Sequence, residues 1–460
     1  MRIRRFAIAL TALLAASTEA QNVRIEHYTL PNGLRVVLNE DHAAPLVAVN
    51  IWYHVGSKNE KPGRTGIAHL FEHMLFSGSQ HVGNNEHFRH VQSVGGTLNG
   101  STTFDRTNYF ETLPSNYLEL GLWLESDRMG FFLPALDRKK LDIQKDVVKE
   151  ERRLRYDNAP YGTAFENLLR LAYPPDYPYH WPTIGSMDDL TAAQLEDVMQ
   201  FFRTYYAPNN AVLTLAGDFD PAEARFLVEK YFGSIPAGAP LPPFATSAPA
   251  REGERRDTVR GAVQLPRIYR LYHLPKLYEQ EWLAGDLLTN VLATGKASRL
   301  HRALVYEQQI AQDVTAFVFP SESTGIALLV ATAKEGISAE KLETALDAEI
   351  ENLAENGISE DELNRVKNQT ETDYAHQIED YSDRADLLNM FTTYFNDPNM
   401  LNQLLDRYRA VTVADVQQAA AKYFVASNRV TLYYLPLDAA TTPEEKPGTT
   451  VGLPKKEGAG

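Results

Sequence analysis

Residues 65–79 read TGIAHLFEHMLFSGS and are apolar around nearly the whole circumference of a helix. A helix of this composition is expected to lie inside a domain rather than on its surface. The ionisable exceptions are His69, Glu72 and His73. Residues three and four positions apart lie on one face of a helix, about 6 Å from each other. The segment therefore predicts a buried helix that presents two imidazoles and a carboxylate together.

The segments around this helix predict alternating strands and helices. Asn32-Gly33, between two short apolar segments, is typical of a tight hairpin turn. Gly95-Gly96 ends a helix and precedes a second hairpin. The predicted strands cover residues 24–30, 34–40, 46–57, 97–104, 107–114 and 211–219, and the predicted helices cover 65–79, 85–94, 118–129, 138–155 and 163–171.

A second half repeats the pattern of the first. Residues 236–256 are rich in Pro, Ala and Gly without periodicity, which is typical of an extended linker. A strand at 267–275 and a helix at 283–295 follow it. When LFSG (75–78) is aligned with LATG (292–295), Asp286, Thr289 and Asn290 fall opposite His69, Glu72 and His73. The second half is therefore expected to repeat the shape of the first without its metal chemistry.

The fold class predicted from these elements is α+β, with two homologous α/β domains. Each domain is expected to hold a mixed or antiparallel sheet packed with helices. The predicted bounds are 21–235 for a metal-binding domain, 236–256 for the linker and 257–440 for the second domain. Residues 441–460 have no apolar pattern and are expected to be disordered.

The first twenty residues predict a signal peptide. Arg2, Arg4 and Arg5 precede the apolar residues 6–17, and the segment ends at Ala20. The apolar part is shorter than the roughly 20 residues needed to span a bilayer, although a retained anchor is the alternative. We therefore expect a periplasmic protein, with no membrane partner for the mature chain.

Composition excludes several classes of function. The chain has 460 residues and a net charge of −15, which argues against nucleic acid as a partner because phosphate binding needs a basic surface. It has no cysteine. Cysteine-ligated zinc and a cysteine nucleophile are thus excluded, so any metal must be bound by His and carboxylate side chains.

The H-x-x-E-H segment predicts a hydrolytic zinc site. His69 and His73 can direct ring nitrogens at one zinc ion, and Glu72 can act as the base for a water molecule. The alternative is a pair of histidines that share a face by chance. That alternative conflicts with the apolar surroundings, because burying two imidazoles and a carboxylate without partners is costly.

A third zinc ligand is expected on another element, and residues 142–158 offer Glu150 and Glu151. The apolar residues of this segment place Glu151 on an inward-facing stripe with Ile143, Val147 and Leu154. Glu150 shares its face with charged residues. The pattern therefore favours Glu151.

Three segments resemble the pitrilysin/insulinase family of zinc peptidases, the inverzincins. They are residues 69–79, residues 95–114 (GGTLNGSTTFDRTNYFETLP) and residues 146–158 (DVVKEERRLRYDN). The likeness extends over most of the mature chain, and it is greatest to the two-domain bacterial branch related to mitochondrial processing peptidase. It implies two similar domains that form half of a clam-like chamber for peptides and unfolded segments.

The resemblance also implies the roles of individual residues. It assigns one Zn²⁺ per chain to His69, His73 and Glu151, and the catalytic base to Glu72. Many members have a Glu where this chain has Gln144, which can still act as a hydrogen-bond partner near the ligands. Substrate is expected to pair with the strand at 97–104 as an added strand, in contact with Asn99, Gly100, Ser101 and Thr102. An alternative role for Asn99 is to form a turn before Gly100.

One departure from the family pattern concerns an Arg and a Tyr of the second domain. Active members use them to bind substrate and to stabilise developing negative charge. The corresponding positions here hold Val305 and Gln312, and the neighbouring Tyr306 is one residue out of register. The resemblance therefore implies a heterodimer, in which this chain supplies the zinc and a homologous subunit supplies Arg and Tyr.

Two other classes of function remain open. One is a non-catalytic assembly or scaffold subunit of the same family, which the intact His69, Glu72, His73 and Glu151 disfavour. The other is a zinc hydrolase that acts on something other than a peptide. The substrate strand argues for a polypeptide, but only through the resemblance.

Overall fold

The structure is a computed structural model that describes residues 22–242, 244 and 253–437. The predicted signal peptide, the predicted tail and residues 243 and 245–252 of the predicted linker lie outside the described residues. Within the described part, no helix is long and apolar enough to cross a membrane.

Eleven strands and fourteen α-helices cover the described residues. The strands are β1 (Glu26–Thr29), β2 (Arg35–Glu40), β3 (Leu46–Tyr53), β4 (Thr97–Thr102), β5 (Thr107–Pro114), β6 (Ala211–Gly217), β7 (Arg255–Gly261), β8 (Arg267–Leu274), β9 (Ala311–Phe319), β10 (Gly325–Ala333) and β11 (Arg429–Pro436). The helices of the first half are α1 (Ile67–Met74), α2 (Glu86–Ser93), α3 (Leu118–Phe131), α4 (Arg138–Arg152), α5 (Ala164–Ala172), α6 (Met187–Ala192), α7 (Leu195–Tyr205) and α8 (Pro221–Phe232). Those of the second half are α9 (Gln280–Ala293), α10 (Ala339–Asn356), α11 (Glu360–Glu379), α12 (Tyr381–Phe395), α13 (Met400–Ala410) and α14 (Val413–Tyr423). Two segments are π-helical, Arg153–Asp157 and His301–Glu307, and five short 3₁₀ turns lie between the other elements.

The two halves form two sheets that share the topology of five strands, and β1 adds a sixth strand to the first sheet. The first sheet has the order β1-β2-β6-β3-β5-β4, and the second has the order β7-β11-β8-β10-β9. Strand β6 pairs in parallel with β2, and β11 pairs in parallel with β7. All other neighbouring strands in the two sheets are antiparallel. The fold class predicted from the sequence, two homologous α/β domains with mixed sheets, is confirmed.

The alignment of the two halves is supported by the backbone after α1 and α9. Gly78 and Gly295, which it makes equivalent, both have left-handed backbone conformations, with φ of 96° and 77°. Asp286, opposite His69, is partly buried and accepts a hydrogen bond from the Tyr408 hydroxyl at 2.7 Å. Where the first half has an imidazole, the second half therefore has a packed structural carboxyl group.

Each half also covers the sheet of the other. Helix α12 of the second half packs against β3 and β6, whereas α5 of the first half packs against β11, β7 and β8. One hydrophobic core lies in each half, and a third cluster, which includes Leu168, Tyr173 and Leu328, joins α5 to the second sheet. The two halves are therefore connected by buried apolar surface as well as by the chain.

Local sequence signals account for several of the element boundaries. Gly33 has φ of 90° in the turn between β1 and β2, as the Asn-Gly pair predicts. Helix α4 begins after Asp137, whose side chain accepts a hydrogen bond from the Lys140 amide. The predicted linker, however, ends too late. Strand β7 begins at Arg255 and pairs in parallel with β11, so the second half already starts there.

Candidate metal centre

Helix α1 is held at its N-terminus by a buried carboxylate. Glu60 accepts hydrogen bonds from the amides of Gly66 and Ala68 at 3.0 and 2.8 Å. These amides have no partners inside the helix. Burial raises the pKa of Glu60 to about 8, and the hydrogen bonds from the two amides partly oppose that effect. Gly66 has φ of 85°, and a Cβ at this position would lie 2.7 Å from the carbonyl oxygen of Ile184. Helix α1 therefore begins at a point fixed by tertiary contacts.

Three of the predicted site residues come together between α1 and α4. The Oε2 atom of Glu151 lies 3.7 Å from Nε2 of His69 and 3.4 Å from Nε2 of His73. The part of the chain that the structure describes contains one cluster of three His, Asp or Glu side chains that could hold a metal ion. It consists of His69, His73 and Glu151, whose ligand atoms lie within 4.8 Å of one another. They line a cleft of about 590 Å³.

The donor set of this cluster fits zinc. Zinc binds His nitrogen and carboxylate oxygen at about 2.0–2.2 Å with tetrahedral geometry, which requires ligand atoms roughly 3.3 Å apart. The Nε2–Oε2 distances of 3.4 and 3.7 Å match this requirement. Burial, reinforced by the neighbouring His73, lowers the pKa of His69 to about 4. The imidazole of His69 is thus neutral near pH 7, which is the form that binds a metal.

Glu72 lies in the same cleft, on the face of α1 towards β4. Its side chain is buried, and Oε2 accepts a hydrogen bond from the Thr102 hydroxyl at 2.7 Å. Burial raises the pKa of the Glu72 carboxyl, and the Thr102 hydroxyl partly opposes that effect. The site therefore combines a possible metal ligand set with a carboxylate that is desolvated but still hydrogen-bonded.

Glu151, rather than Glu150, reaches the histidines, but the reason given by the sequence is wrong. Ile143, Val147 and Leu154, predicted to face inward with Glu151, are 49%, 44% and 71% exposed. The buried face of α4 instead carries Leu141, Val148 and Arg152. The apolar residues of this stripe are thus exposed to solvent, whereas Glu151 lines the cleft and approaches the histidines of α1.

Glu150 lies outside the cluster. Its carboxylate is exposed and pairs with Arg153. The other carboxylate oxygen of Glu151, Oε1, pairs instead with Arg155 at 2.9 Å. Sequence reasoning missed Arg155, although an acid followed four residues later by a base on a helix is a recognisable signal. Arg155 belongs to the π-helical segment directly after α4, a distortion that is frequent at functional sites.

The predicted substrate-binding residues lie on β4, an edge strand of the first sheet. Asn99, Gly100, Ser101 and Thr102 all line the cleft. Gly100 passes close to α1, since a Cβ there would lie 3.2 Å from Cγ of Glu72. Asn99 is exposed, and its Oδ1 accepts a hydrogen bond from the Gly100 amide at 2.9 Å. Both residues pair with β5 inside strand β4, so the alternative of a turn before Gly100 is wrong.

Ser101 and Gln144 have protein partners outside the ligand set. The Ser101 hydroxyl donates to Asn108 Oδ1 at 2.7 Å, on the strand that pairs with β4. Gln144 lines the cleft, and its amide donates to the Ser77 hydroxyl at 3.1 Å. Gln144 therefore fixes the segment after α1 that follows the two histidines.

The second half does not offer an Arg and a Tyr at the two expected positions. Val305 packs against the core of the second half, whereas Gln312 is exposed on β9. Tyr306, 77% exposed, lies on the π-helical segment between them. None of these three positions therefore provides the Arg and Tyr pair that the resemblance leads us to expect.

Fold and site together define a class: a two-domain α/β protein with a His-His-Glu cluster in a cleft of its first half. The chain belongs to the insulinase family, peptidase family M16. The family model described as "Insulinase (Peptidase family M16)" matches residues 35–176, and that described as "Peptidase M16 inactive domain" matches residues 192–370. The family suggested by the sequence motifs is therefore confirmed.

Individual relatives agree with this assignment. "Zinc protease PqqE" of Helicobacter pylori is 31% identical over 437 residues, which cover 93% of this chain and 97% of that protein. The crystal structure of a protease from Helicobacter pylori matches with a TM-score of 0.86 and 30% identity, over 90% of this chain and all of that one. The first half of the periplasmic protease PqqL from Escherichia coli matches with a TM-score of 0.70 and 21% identity, over 89% of this chain and 92% of that one, which shows the shared fold.

Proposed function

We propose that the protein is a zinc endopeptidase that hydrolyses peptides or unfolded polypeptide segments. The observation that carries the proposal is the convergence of His69, His73 and Glu151 beside a buried Glu72. Several relatives are named zinc proteases, which supports the same chemistry. The cleft opens next to the edge strand β4, which can accept an extended peptide by strand addition.

The residues of the chain divide the work of hydrolysis. A zinc ion bound by His69, His73 and Glu151 would activate water and polarise a carbonyl group. Glu72 accepts the proton of the attacking water and later delivers it to the leaving amine. Strand β4 aligns the substrate backbone so that the scissile peptide bond lies over Glu72. The protein would therefore accept substrates of many different sequences, since main-chain pairing does not depend on the substrate side chains.

The catalytic role of Glu72 is tested by Glu72→Gln. The amide keeps the shape of the side chain but cannot take a proton, so we expect the peptidase rate to fall by about 10²- to 10⁴-fold. Zinc content should remain one ion per chain, because Glu72 is not a ligand. Zinc analysis and cleavage of an unfolded polypeptide are measured on the same preparation. Undiminished cleavage by the isolated variant chain would show that another group of this chain is the base.

The protein is further proposed to act with a homologous subunit that supplies the missing Arg and Tyr. Val305 and Gln312 support this, as does the existence of PqqL, whose solved first half has the fold of this whole chain. Native purification should yield a second chain of the same family, and cleavage should be much faster in that complex than with the isolated chain. Equal cleavage rates for the complex and the isolated chain would contradict a role for the second subunit.

The working compartment is proposed to be the periplasm. The pattern of residues 1–20 supports this, and PqqL of Escherichia coli is itself named a periplasmic protease. The natively purified protein should begin at Gln21 and should be released with the periplasmic fraction. A chain that retains Met1 would contradict removal of a signal peptide.

A non-catalytic assembly subunit is the second candidate. The observation that favours it is the match of residues 192–370 to an M16 domain described as inactive, together with the absence of Arg and Tyr at positions 305 and 312. The native complex decides between the two. If it binds zinc at this chain but the Glu72→Gln change leaves cleavage by the complex unaltered, this chain is the assembly subunit.

A further inference from the structure

The Thr102 hydroxyl has a partner that its place on the substrate strand does not predict. Thr102 Oγ1 donates a hydrogen bond to Oε2 of Glu72 at 2.7 Å. Among the described residues, no other side chain donates a hydrogen bond to the Glu72 carboxylate. We propose that Thr102 is a positioning residue for Glu72 and not a contact for substrate. This inference rests on the proposed peptidase function and assigns one residue a role within it.

The hydroxyl of Thr102 cannot serve Glu72 and a substrate carbonyl at the same time. A threonine hydroxyl has a single proton to donate, and here Glu72 receives it. The neighbouring Thr107 hydroxyl, 3.4 Å from Thr102 Oγ1, has its own acceptor in the carbonyl oxygen of Val55 at 2.9 Å. The hydroxyl proton of Thr102 is therefore committed to Glu72, while the backbone of Thr102 remains part of the edge strand.

The hydrogen bond restricts a side chain that is otherwise free to rotate. Glu72 is buried and has three side-chain torsions, so a carboxylate without a partner would be both costly and poorly oriented. Fixing Oε2 leaves Oε1 as the oxygen available to take a proton. A base held in one geometry requires less reorganisation during the reaction, and misplacing it by about 1 Å costs on the order of 100-fold in rate.

The backbone that carries Thr102 is itself held firmly. Directly after β4, the carbonyl oxygens of Thr103 and Phe104 accept hydrogen bonds from the amides of Ser57 and Lys58 at 3.1 and 2.9 Å. The Lys58 ammonium, almost fully buried, also pairs with Asp105 at 3.1 Å. The end of the strand is therefore fixed to the segment that precedes α1. Thr102 thus presents its hydroxyl to Glu72 from a rigid support.

The test compares Thr102→Val with Thr102→Ser in the zinc-loaded protein, together with its partner subunit if one copurifies. Valine keeps the shape and removes the hydroxyl, whereas serine keeps the hydroxyl. We expect valine to lower kcat by about 10- to 100-fold with KM and zinc content unchanged. Serine should restore kcat to within about threefold of the wild type. Thr112→Val is the matched control, because Thr112 lies on β5 and does not line the cleft.

A crystal structure of the Thr102→Val protein supplies a readout that does not depend on activity. We expect the Glu72 carboxylate to leave its position in the valine variant and to keep it in the serine variant. An unmoved Glu72 with unchanged kcat would overturn the inference, and a raised KM with unchanged kcat would identify Thr102 as a substrate contact instead. A wild-type protein without zinc-dependent cleavage would refute the proposed function, and the position of Glu72 would still decide the role of Thr102.

Discussion

At the scale of the residue, two adjacent glutamates have different surroundings. Glu151 lies between the two imidazoles and Arg155, and the close approach of His73 lowers the pKa of its carboxyl group. Glu150, one position earlier, faces solvent. A rotation of about 100° around the helix axis separates them. Their chemistry is the same, so any difference in metal binding must come from position.

Neutralising each glutamate separately tests this difference. In Glu151→Gln the anionic ligand is lost, and we expect zinc affinity to fall by roughly 100-fold or more, since even the loss of an outer hydrogen-bond partner costs 10- to 100-fold. Glu150→Gln is the matched control and should bind zinc like the wild type. Competition with a chelator measures both affinities. Similar zinc affinity in the two variants would mean that residue 151 is not a ligand.

At the scale of the element, α4 shows how a periodic pattern can mislead. The spacing of Ile143, Val147 and Leu154 correctly indicates a helix with an apolar stripe, but that stripe is exposed to solvent. Packing onto the first half instead uses Leu141 and Val148. Periodicity gives the phase of a helix. Which face is covered depends on the neighbours of the helix.

Two adjacent valines of α4 provide a quantitative test. Val148 is fully buried, whereas Val147 is 44% exposed. Val148→Ala removes two buried methyl groups and leaves a cavity, so we expect the free energy of unfolding to fall by about 2 kcal/mol. Val147→Ala should change the free energy of unfolding by less than about 0.5 kcal/mol. Urea denaturation of both metal-free variants measures the difference, and equal losses would contradict the assigned orientation of α4.

At the scale of the whole molecule, the two halves are joined at a buried ionic cluster. Glu322, in the turn between β9 and β10, pairs with Lys58 and with His54, the latter at 2.7 Å. The Glu322 amide also donates to Asp105 Oδ2 at 3.0 Å, in the turn after β4. The second half therefore contacts the turn that follows β4. Burial alone would raise the pKa of Glu322, but the hydrogen bond with His54 and the charge of Lys58 hold it at about 2.

This low pKa predicts an acid-dependent loss of stability. A carboxyl group that titrates near 4.5 when unfolded and near 2 when folded stabilises the protein above pH 4.5. That contribution is lost as the pH falls from 4.5 to 2. The wild type should thus exceed Glu322→Gln in free energy of unfolding by on the order of 1–3 kcal/mol at pH 6, and the difference should shrink below pH 4.5.

The measurement requires metal-free protein, because protonation of zinc ligands would add its own acid dependence. Chemical denaturation between pH 3 and pH 6 gives the difference at each pH. Glu307→Gln, at an exposed glutamate of the same half, is the control and should match the wild type throughout. A difference between wild type and Glu322→Gln that stays constant down to pH 3 would show that Glu322 does not carry the effect.

Signals that are local or periodic in the sequence were sufficient for much of this protein. The spacing of His69, Glu72 and His73 places them on one helix face, whatever surrounds it. Asn32-Gly33 specifies its turn through backbone geometry alone. The repeated order of strands and helices implied two domains, and the two sheets share the topology of five strands. Each of these properties arises within a few residues or from a regular repeat.

Only the tertiary structure decided which distant residues meet. Glu151 reaches the histidines because α4 packs beside α1, and Thr102 reaches Glu72 because Gly100 lets β4 approach that helix. Glu322 joins the two halves through a turn that carries no recognisable motif. Such contacts depend on the relative placement of whole elements, which is determined by packing over the entire core, so no local pattern contains them.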